Sequence, residues 1–257
     1  MASPIVDIKD LSLRFDNGFH ALSNVSLTLR QGEFVSIVGP SGCGKTTLLN
    51  MMAGLVRAPH TGHISVHGQA PALGTAKTAY MLARDCLLPW RTTLDNACYS
   101  MELRRVPKEA AHAKARKLLN AVGLTDFEKL YPKSLSHGMR QRVALVRTFA
   151  LDSELLLMDE PFGALDAQTK VTLADILLRL WEMEKRTVVF VTHDLAEAIA
   201  LSDRVIVMNS GPGRIVREMV IDLPRPRSVR KMQGNPHFHE LYTSLWNSID
   251  QSAHAHA

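Results

Sequence analysis

A glycine-rich segment in the first quarter of the chain contains the residue types that bind phosphate groups. It fits the pattern G-x-x-x-x-G-K-[S/T], follows an apolar run and precedes a helical pattern. The backbone N–H groups of such a loop surround phosphates, its lysine reaches the terminal phosphates, and its hydroxyl is placed for Mg²⁺. Thr46 is therefore also a candidate magnesium ligand. The predicted nucleotide-binding residues here are Gly39, Pro40, Ser41, Gly42, Cys43, Gly44, Lys45, Thr46 and Thr47.

Two acidic residues, Asp159 and Glu160, follow the apolar run 155–158. They are expected at the carboxyl end of a buried strand, where open α/β sheets bind their ligands. Asp159 suits the metal role through a bound water, and Glu160 suits a general base that polarises water for attack on a γ-phosphate. With the phosphate loop, the pair predicts nucleoside triphosphate hydrolysis. The loop alone does not separate kinases, GTPases, motors and transporters.

The elements that must position these residues can be predicted from apolar periodicity. Alternation between residues 5 and 29 predicts half-buried strands, 34–38 a buried strand, and 46–53 a helix that Gly54 ends. Two helical patterns, 107–122 and 136–150, predict a helical lobe in the middle of the chain.

The second half has the rhythm of a parallel α/β sheet. Strand patterns at 155–158 and 187–191 flank a helical segment at 173–181. Two further strands are predicted at 204–208 and 215–220.

Composition narrows the class of protein. The 257 residues carry a formal charge of +5, but 21% charged residues is ordinary, so the basic balance alone does not indicate a nucleic-acid partner. Three cysteines without a CxxC spacing argue against a disulfide framework or a zinc site. No stretch approaches 18 uncharged apolar residues, so we expect a cytosolic chain that does not span a membrane.

Between the glycine-rich loop and the Asp159–Glu160 pair, residues 135–142 read L-S-H-G-M-R-Q-R, which resembles the signature sequence of ABC ATPases. The segments 163–166 and 192–194 follow in the order and spacing of that family. The resemblance covers essentially the whole chain. It implies a P-loop NTPase fold with a RecA-like parallel sheet core, an antiparallel β subdomain and an inserted α-helical subdomain. The expected divisions are an ATPase domain at 5–232, its helical subdomain at about 84–152, and a C-terminal helix or tail at 233–257.

The resemblance also implies roles for single residues. His193 is similar to the switch histidine that contacts the γ-phosphate, and Phe15 stands where the family stacks an aromatic ring on adenine, with Phe19 as a competing stacker. Two cassettes would pack head to tail as a homodimer and bind ATP and Mg²⁺. The residues implied to face the partner's nucleotide, or to line it, are Ser136, Gly138, Met139 and Asp166.

Two positions depart from the family pattern. Ala83 stands where the family has a glutamine that contacts Mg²⁺, and His137 replaces the first glycine of the signature. An alanine cannot coordinate Mg²⁺ or position water, so solvent or the neighbouring Arg84 and Asp85 would have to take over that role.

The segments 87–96 and 210–215, with the Pro/Arg-rich stretch after them, resemble the nitrate/sulfonate/taurine importer subfamily. This implies two separate permease subunits, an indirect solute-binding protein partner, no nucleic acid, and a peripheral position on the cytoplasmic face of a bacterial inner membrane. An ABC exporter ATPase, a weakly hydrolysing nucleotide-binding module and a non-transport ABC ATPase stay open as alternatives.

Overall fold

The computed structural model describes residues 3–56 and 58–254, and it contains two β-sheets and eight α-helices within them. The strands are β1 (Val6–Arg14), β2 (His20–Leu29), β3 (Phe34–Val38), β4 (His60–Val66), β5 (Thr78–Met81), β6 (Leu155–Asp159), β7 (Thr187–Val191), β8 (Arg204–Asn209) and β9 (Arg214–Val220). The helices are α1 (Lys45–Met52), α2 (Thr93–Leu103), α3 (Lys108–Ala121), α4 (His137–Phe149), α5 (Ala167–Glu184), α6 (Leu195–Leu201), α7 (Val229–Met232) and α8 (Pro236–His254).

The larger sheet has the strand order β5-β6-β7-β3-β8-β9. All neighbouring strands in it are parallel except β9, which pairs antiparallel with β8. Every residue of β3, β6 and β7 is buried, as expected for parallel strands covered on both faces. The smaller sheet, β2-β1-β4, is antiparallel. The predicted α/β class with a parallel core and an antiparallel β subdomain is confirmed.

Helices α2, α3 and α4 are inserted between β5 and β6 and pack on one another. The strands predicted at 34–38 and 187–191 are confirmed residue for residue. Helix α5 is longer than the predicted 173–181 because Asp166 caps it at its N-terminus, seven residues before Leu173, the first residue of that segment. Strand β4 had no prediction, since its first half, H-T-G-H, is exposed and polar.

Side-chain caps begin helices α4, α5 and α6. Ser136, Asp166 and Asp194 accept hydrogen bonds from backbone N–H groups in the first turns of α4, α5 and α6. Each capping residue is also part of a sequence motif. The caps therefore fix the backbone of these motifs relative to the helices that follow them.

Aromatic rings pack on the core beside the large sheet. The ring of Phe34, the first residue of β3, lies edge to face with Trp181 at a centroid distance of 5.7 Å, and the ring centroids of Phe190 on β7 and Phe162 are 5.6 Å apart. Phe162 follows β6 by three residues and is buried. It anchors the turn that carries Glu160 to the core. Helix α8 packs on the same core through Phe238 and Leu245.

Candidate active site

The glycine-rich loop joins β3 to α1 at the carboxyl end of the central strand. Lys45, which is buried, donates hydrogen bonds from Nζ to the carbonyl oxygens of Gly39 at 2.8 Å and Pro40 at 3.0 Å. A Cβ at Gly39 would lie 2.2 Å from the carbonyl oxygen of Met208, so glycine is required there. The loop therefore curls around its own lysine and is held against β8. Gly44 has φ of +91° and begins α1.

The thiol of Cys43 lies inside this loop rather than on its outer surface. The side chain is buried, and burial raises the pKa of the Cys43 thiol, which the nearby Lys45 partly offsets. A buried thiol with a raised pKa is a poor nucleophile. The residue therefore serves packing in the loop.

Thr46 and Asp159 meet where α1 begins and β6 ends. The hydroxyl of Thr46 donates to Oδ1 of Asp159 at 3.0 Å. Burial raises the pKa of Asp159, and the bond from Thr46 partly offsets that rise. A hydroxyl and a carboxylate oxygen are the hard donors that Mg²⁺ prefers, so this pair fits the ion. The described residues contain no cluster of three His, Cys, Asp or Glu side chains that would compete for a metal.

Glu160 has a left-handed backbone conformation, with φ of +44°, which residues other than glycine rarely adopt. Its N–H donates to the carbonyl of Val191 at 2.9 Å, and its carbonyl accepts from Gly163 N–H at 3.1 Å. Nδ1 of His193 lies 3.1 Å from Oε2 of Glu160. Backbone strain of this kind, at a cost of about 1 kcal/mol or more, persists where surrounding contacts enforce it, and it is concentrated at functional sites. The carboxylate is thus held beside an imidazole at the edge of the sheet.

A buried polar network lies behind His193. Thr192 donates from Oγ1 to Oε2 of Glu197 at 2.8 Å. Nζ of Lys170 on α5 lies 3.6 Å from Oδ2 of Asp194 and 3.8 Å from Oε1 of Glu197. Burial raises the pKa of Glu197 to about 7, against the opposing effects of the Thr192 hydroxyl and Lys170. This network connects the start of α5 to the segment that carries His193.

The signature residues form a second group at the N-termini of α4 and α5. The Oγ of Ser136 accepts from Met139 N–H at 3.3 Å, and Asp166 accepts from the N–H and hydroxyl of Thr169 at 3.0 and 2.7 Å. A Cβ at Gly138 would lie 2.7 Å from Cγ2 of Thr169, so the two helices approach closely there. Among the described residues, no hydrogen bond links a member of this group to the phosphate loop.

Phe15 and Phe19, the two candidate stacking rings, lie next to each other. Their centroids are 6.4 Å apart and their planes nearly parallel. Phe15 is half-buried and packs on the core of the small sheet, whereas Phe19 is 56% exposed. Both alternatives therefore stay open.

Sequence patterns did not identify two residues that contact these groups. The hydroxyl of Tyr80 on β5 donates to Oδ1 of Asn50 at 2.9 Å and also contacts the Asp159 carboxylate. Burial raises the pKa of the Tyr80 hydroxyl. Gln141 of α4 donates from Nε2 to the carbonyls of Ala83 and Pro161. Its position on the buried face of a helix was the available signal, since a polar residue there needs partners.

The sequence model of the ABC transporter family matches residues 22–163, more than half of the chain. The chain belongs to the ABC transporter family of ATPases. The taurine import ATP-binding protein TauB of Roseobacter denitrificans is similar to this ABC ATPase, with 38% identity over 257 residues that cover 96% of each protein. The aliphatic sulfonates import ATP-binding protein SsuB of Bacillus cereus is 42% identical over 207 residues, which cover 80% of this chain and 81% of SsuB.

Among solved structures, the ATP-binding cassette MJ0796 resembles this ABC ATPase with a TM-score of 0.73 and 30% identity. The match covers 85% of this chain and 100% of the cassette, which was solved as a dimer in a post-hydrolysis state bound to ADP and Pi. The predicted family, fold and ATP-hydrolysing activity are confirmed. No helix in the described part of this ABC ATPase has the length and apolar character needed to cross a bilayer.

Proposed function

We propose that this ABC ATPase is the energising subunit of an importer for a small solute such as nitrate, a sulfonate, taurine or a related organic compound. The hydrolytic part rests on the contact between Glu160 and His193 at the sheet edge that carries Thr46 and Asp159. The importer part is supported by the similarity to TauB, which extends over 96% of both chains. The proposed ATPase domain spans 5–232, with a helical subdomain at about 84–152 and a C-terminal helix or tail at 233–257.

In this proposal the residues of the phosphate loop, 39–47, hold the nucleotide phosphates, and Lys45 neutralises their terminal charge. Thr46 and Asp159 would hold Mg²⁺, which when bound offsets the negative charge of the β- and γ-phosphates. Glu160 accepts a proton from the attacking water, and His193 orients that carboxylate through its Nδ1. Phe15 stacks on the adenine ring, with Phe19 as the alternative.

The signature group would act across a homodimer. Ser136, Gly138 and Met139 begin α4, whose first N–H groups carry partial positive charge, and Asp166 begins α5 beside them. Because these residues are not bonded to the phosphate loop of their own chain, they suit a nucleotide bound by a second cassette. The dimer would lie on the cytoplasmic face of a bacterial inner membrane under two permease subunits, with a solute-binding protein as an indirect partner and no nucleic acid.

Uptake of labelled nitrate, taurine and alkanesulfonates into cells that carry wild-type or Glu160→Gln protein tests this function. We expect one class of solute to enter only with the wild-type chain. Thr148→Val is the matched control, because it removes a buried hydroxyl on α4 whose bond stays within that helix, to Ala144. If uptake of every solute were the same with Glu160→Gln as with wild type, the importer assignment would be wrong.

A further inference from the structure

The side chain of Gln141 joins two segments that are far apart in the sequence. Its Nε2 donates to the carbonyl oxygen of Ala83 at 3.1 Å and to that of Pro161 at 2.9 Å. The residue is 1% exposed, so its amide is shielded from water. Pro161 directly follows Glu160, and Ala83 opens the exposed segment that runs to Trp90.

The orientation of this amide follows from its partners. Both partners are carbonyl oxygens, which only the NH₂ half of the amide can bond. The other half, Oε1, is buried without a hydrogen-bond partner among the described residues. A buried polar atom without a partner is destabilising, and an apolar side chain of the same shape would avoid it. An amide at this position is therefore better explained by its two donor bonds than by packing.

The Pro161 bond matters because the turn around Glu160 is strained. Glu160 has φ of +44°, and Pro161 has no N–H, so its carbonyl is its one backbone group that can form a hydrogen bond. The bond from Gln141 fixes that carbonyl next to the residue whose carboxylate contacts His193. A shift of this turn would move the Glu160 carboxylate directly.

The Ala83 bond matters because the segment 83–86 is fastened to the same helix. Arg140 pairs with Asp85 at 3.0 Å, and Arg147 donates to the carbonyls of Asp85 at 2.6 Å and Cys86 at 2.8 Å. The methyl side chain of Ala83 has no group of its own for hydrogen bonding. A path of hydrogen bonds thus runs from this segment through α4 and the amide of Gln141 to the Glu160 turn.

We propose that Gln141 is a positioning residue for hydrolysis, which sets the Glu160 turn and links it to the 83–86 segment. The inference rests on the proposed role of Glu160 as the general base. The NH₂ group of the amide donates to the backbone of Ala83 and Pro161. It acts on the turnover step by holding Pro161, and it leaves the phosphate loop unchanged.

The first test compares ATP hydrolysis and ATP binding by purified wild type, Gln141→Met and the control Thr148→Val. Gln141→Met keeps the length of the side chain and removes both donors. We expect its kcat to fall by about 10- to 100-fold, the usual effect of misplacing a catalytic group, with ATP affinity within about twofold of wild type. Thr148→Val should change neither kcat nor ATP affinity. Equal kcat values for wild type and Gln141→Met would overturn the proposal.

A second variant, Gln141→Glu, separates positioning from a general loss of folding. A buried carboxyl group between two carbonyl oxygens donates only when protonated, and it then restores one bond. We expect the kcat of Gln141→Glu, relative to wild type, to rise as the pH falls from 8.5 to 6.5, while the ratio for Gln141→Met stays flat. A flat ratio for both variants would contradict the assigned bonds.

The link to the exposed segment is tested by Asp85→Ala alone and combined with Gln141→Met. We expect Asp85→Ala to lower kcat in the wild-type background and to have no further effect once Gln141 is replaced. Independent, multiplying effects, or no effect of Asp85→Ala alone, would refute the link. Glu160→Gln is measured alongside. If Glu160→Gln hydrolyses ATP at the wild-type rate, Glu160 is not the general base. If Glu160→Gln is slow but Gln141→Met hydrolyses ATP at the wild-type rate, Gln141 does not position the Glu160 turn, and the proposed role of Glu160 is unaffected.

Discussion

Glu160 and Glu197 are two carboxylates near His193 that lie in different environments. The Glu160 side chain is 35% exposed and contacts His193, so water can reach its carboxylate. Glu197 is buried behind the same histidine, where it accepts from Thr192 and faces Lys170. The first is placed for chemistry and the second for holding the segment that carries His193.

The raised pKa of Glu197 predicts a dependence of stability on pH. Its folded pKa of about 7 lies above the ordinary value of 4.5, so the folded state binds this proton more tightly. The free energy of unfolding should therefore fall as the pH rises from about 4.5 to about 7, by up to about 3 kcal/mol for this group.

Chemical denaturation of wild type and Glu197→Gln across that range measures the effect. Glutamine stays neutral, so the stability of the variant relative to wild type should increase with pH up to about 7 and then stay constant. Glu109→Gln, at an exposed position on α3, should give a constant difference. A constant difference for Glu197→Gln as well would show that Glu197 titrates normally.

At the scale of elements, the phosphate loop depends on the turn between β8 and β9. A Cβ at Gly213 would lie 2.2 Å from the carbonyl oxygen of Cys43 and 2.9 Å from that of Ala21. Gly213 also exchanges backbone hydrogen bonds with Ala21 and Ser23 of β2. The turn therefore supports the loop from behind, although it contributes no side chain to it.

Gly213→Ala should weaken nucleotide binding without altering a phosphate-binding residue. Overpacking against backbone costs about 1–3 kcal/mol, and a displaced loop should lose about tenfold in ATP affinity. Gly234→Ala is the control, since a Cβ at Gly234 would lie 3.9 Å from its nearest neighbour, the carbonyl oxygen of Lys231. Equilibrium binding of a fluorescent ATP analogue measures both variants, and unchanged affinity in Gly213→Ala would argue against this support.

Sequence patterns reveal the proposed phosphate-binding residues more readily than the residues that would position them. The 39–47 loop and the Asp159–Glu160 pair are recognisable because their chemistry requires fixed residue types at fixed spacing. The contacts of Gln141 are formed between segments distant along the chain, so spacing does not reveal them. Strand β4 was missed for a related reason, since its pairing with β1 and not its composition makes it a strand.

In the whole molecule, no hydrogen bond among the described residues links the signature group to the phosphate loop, and we therefore predict that ATP binds between two chains. Glu160→Gln protein should sediment as a dimer with Mg²⁺ and ATP and as a monomer without nucleotide. Ser136→Asp in the same background should stay monomeric, because aspartate can cap α4 as serine does but would repel a phosphate. A monomer for Glu160→Gln at every ATP concentration would contradict the shared site.

ATP turnover by wild type and Glu160→Gln, measured together with ATP binding, tests the proposed role of Glu160 most directly. An amide has the shape of the carboxylate but cannot accept a proton from water, so turnover should fall by about 10²-fold or more. ATP binding should persist, since the phosphate loop is intact. Wild-type turnover in Glu160→Gln would show that this carboxylate, held beside His193, is not the base that drives hydrolysis.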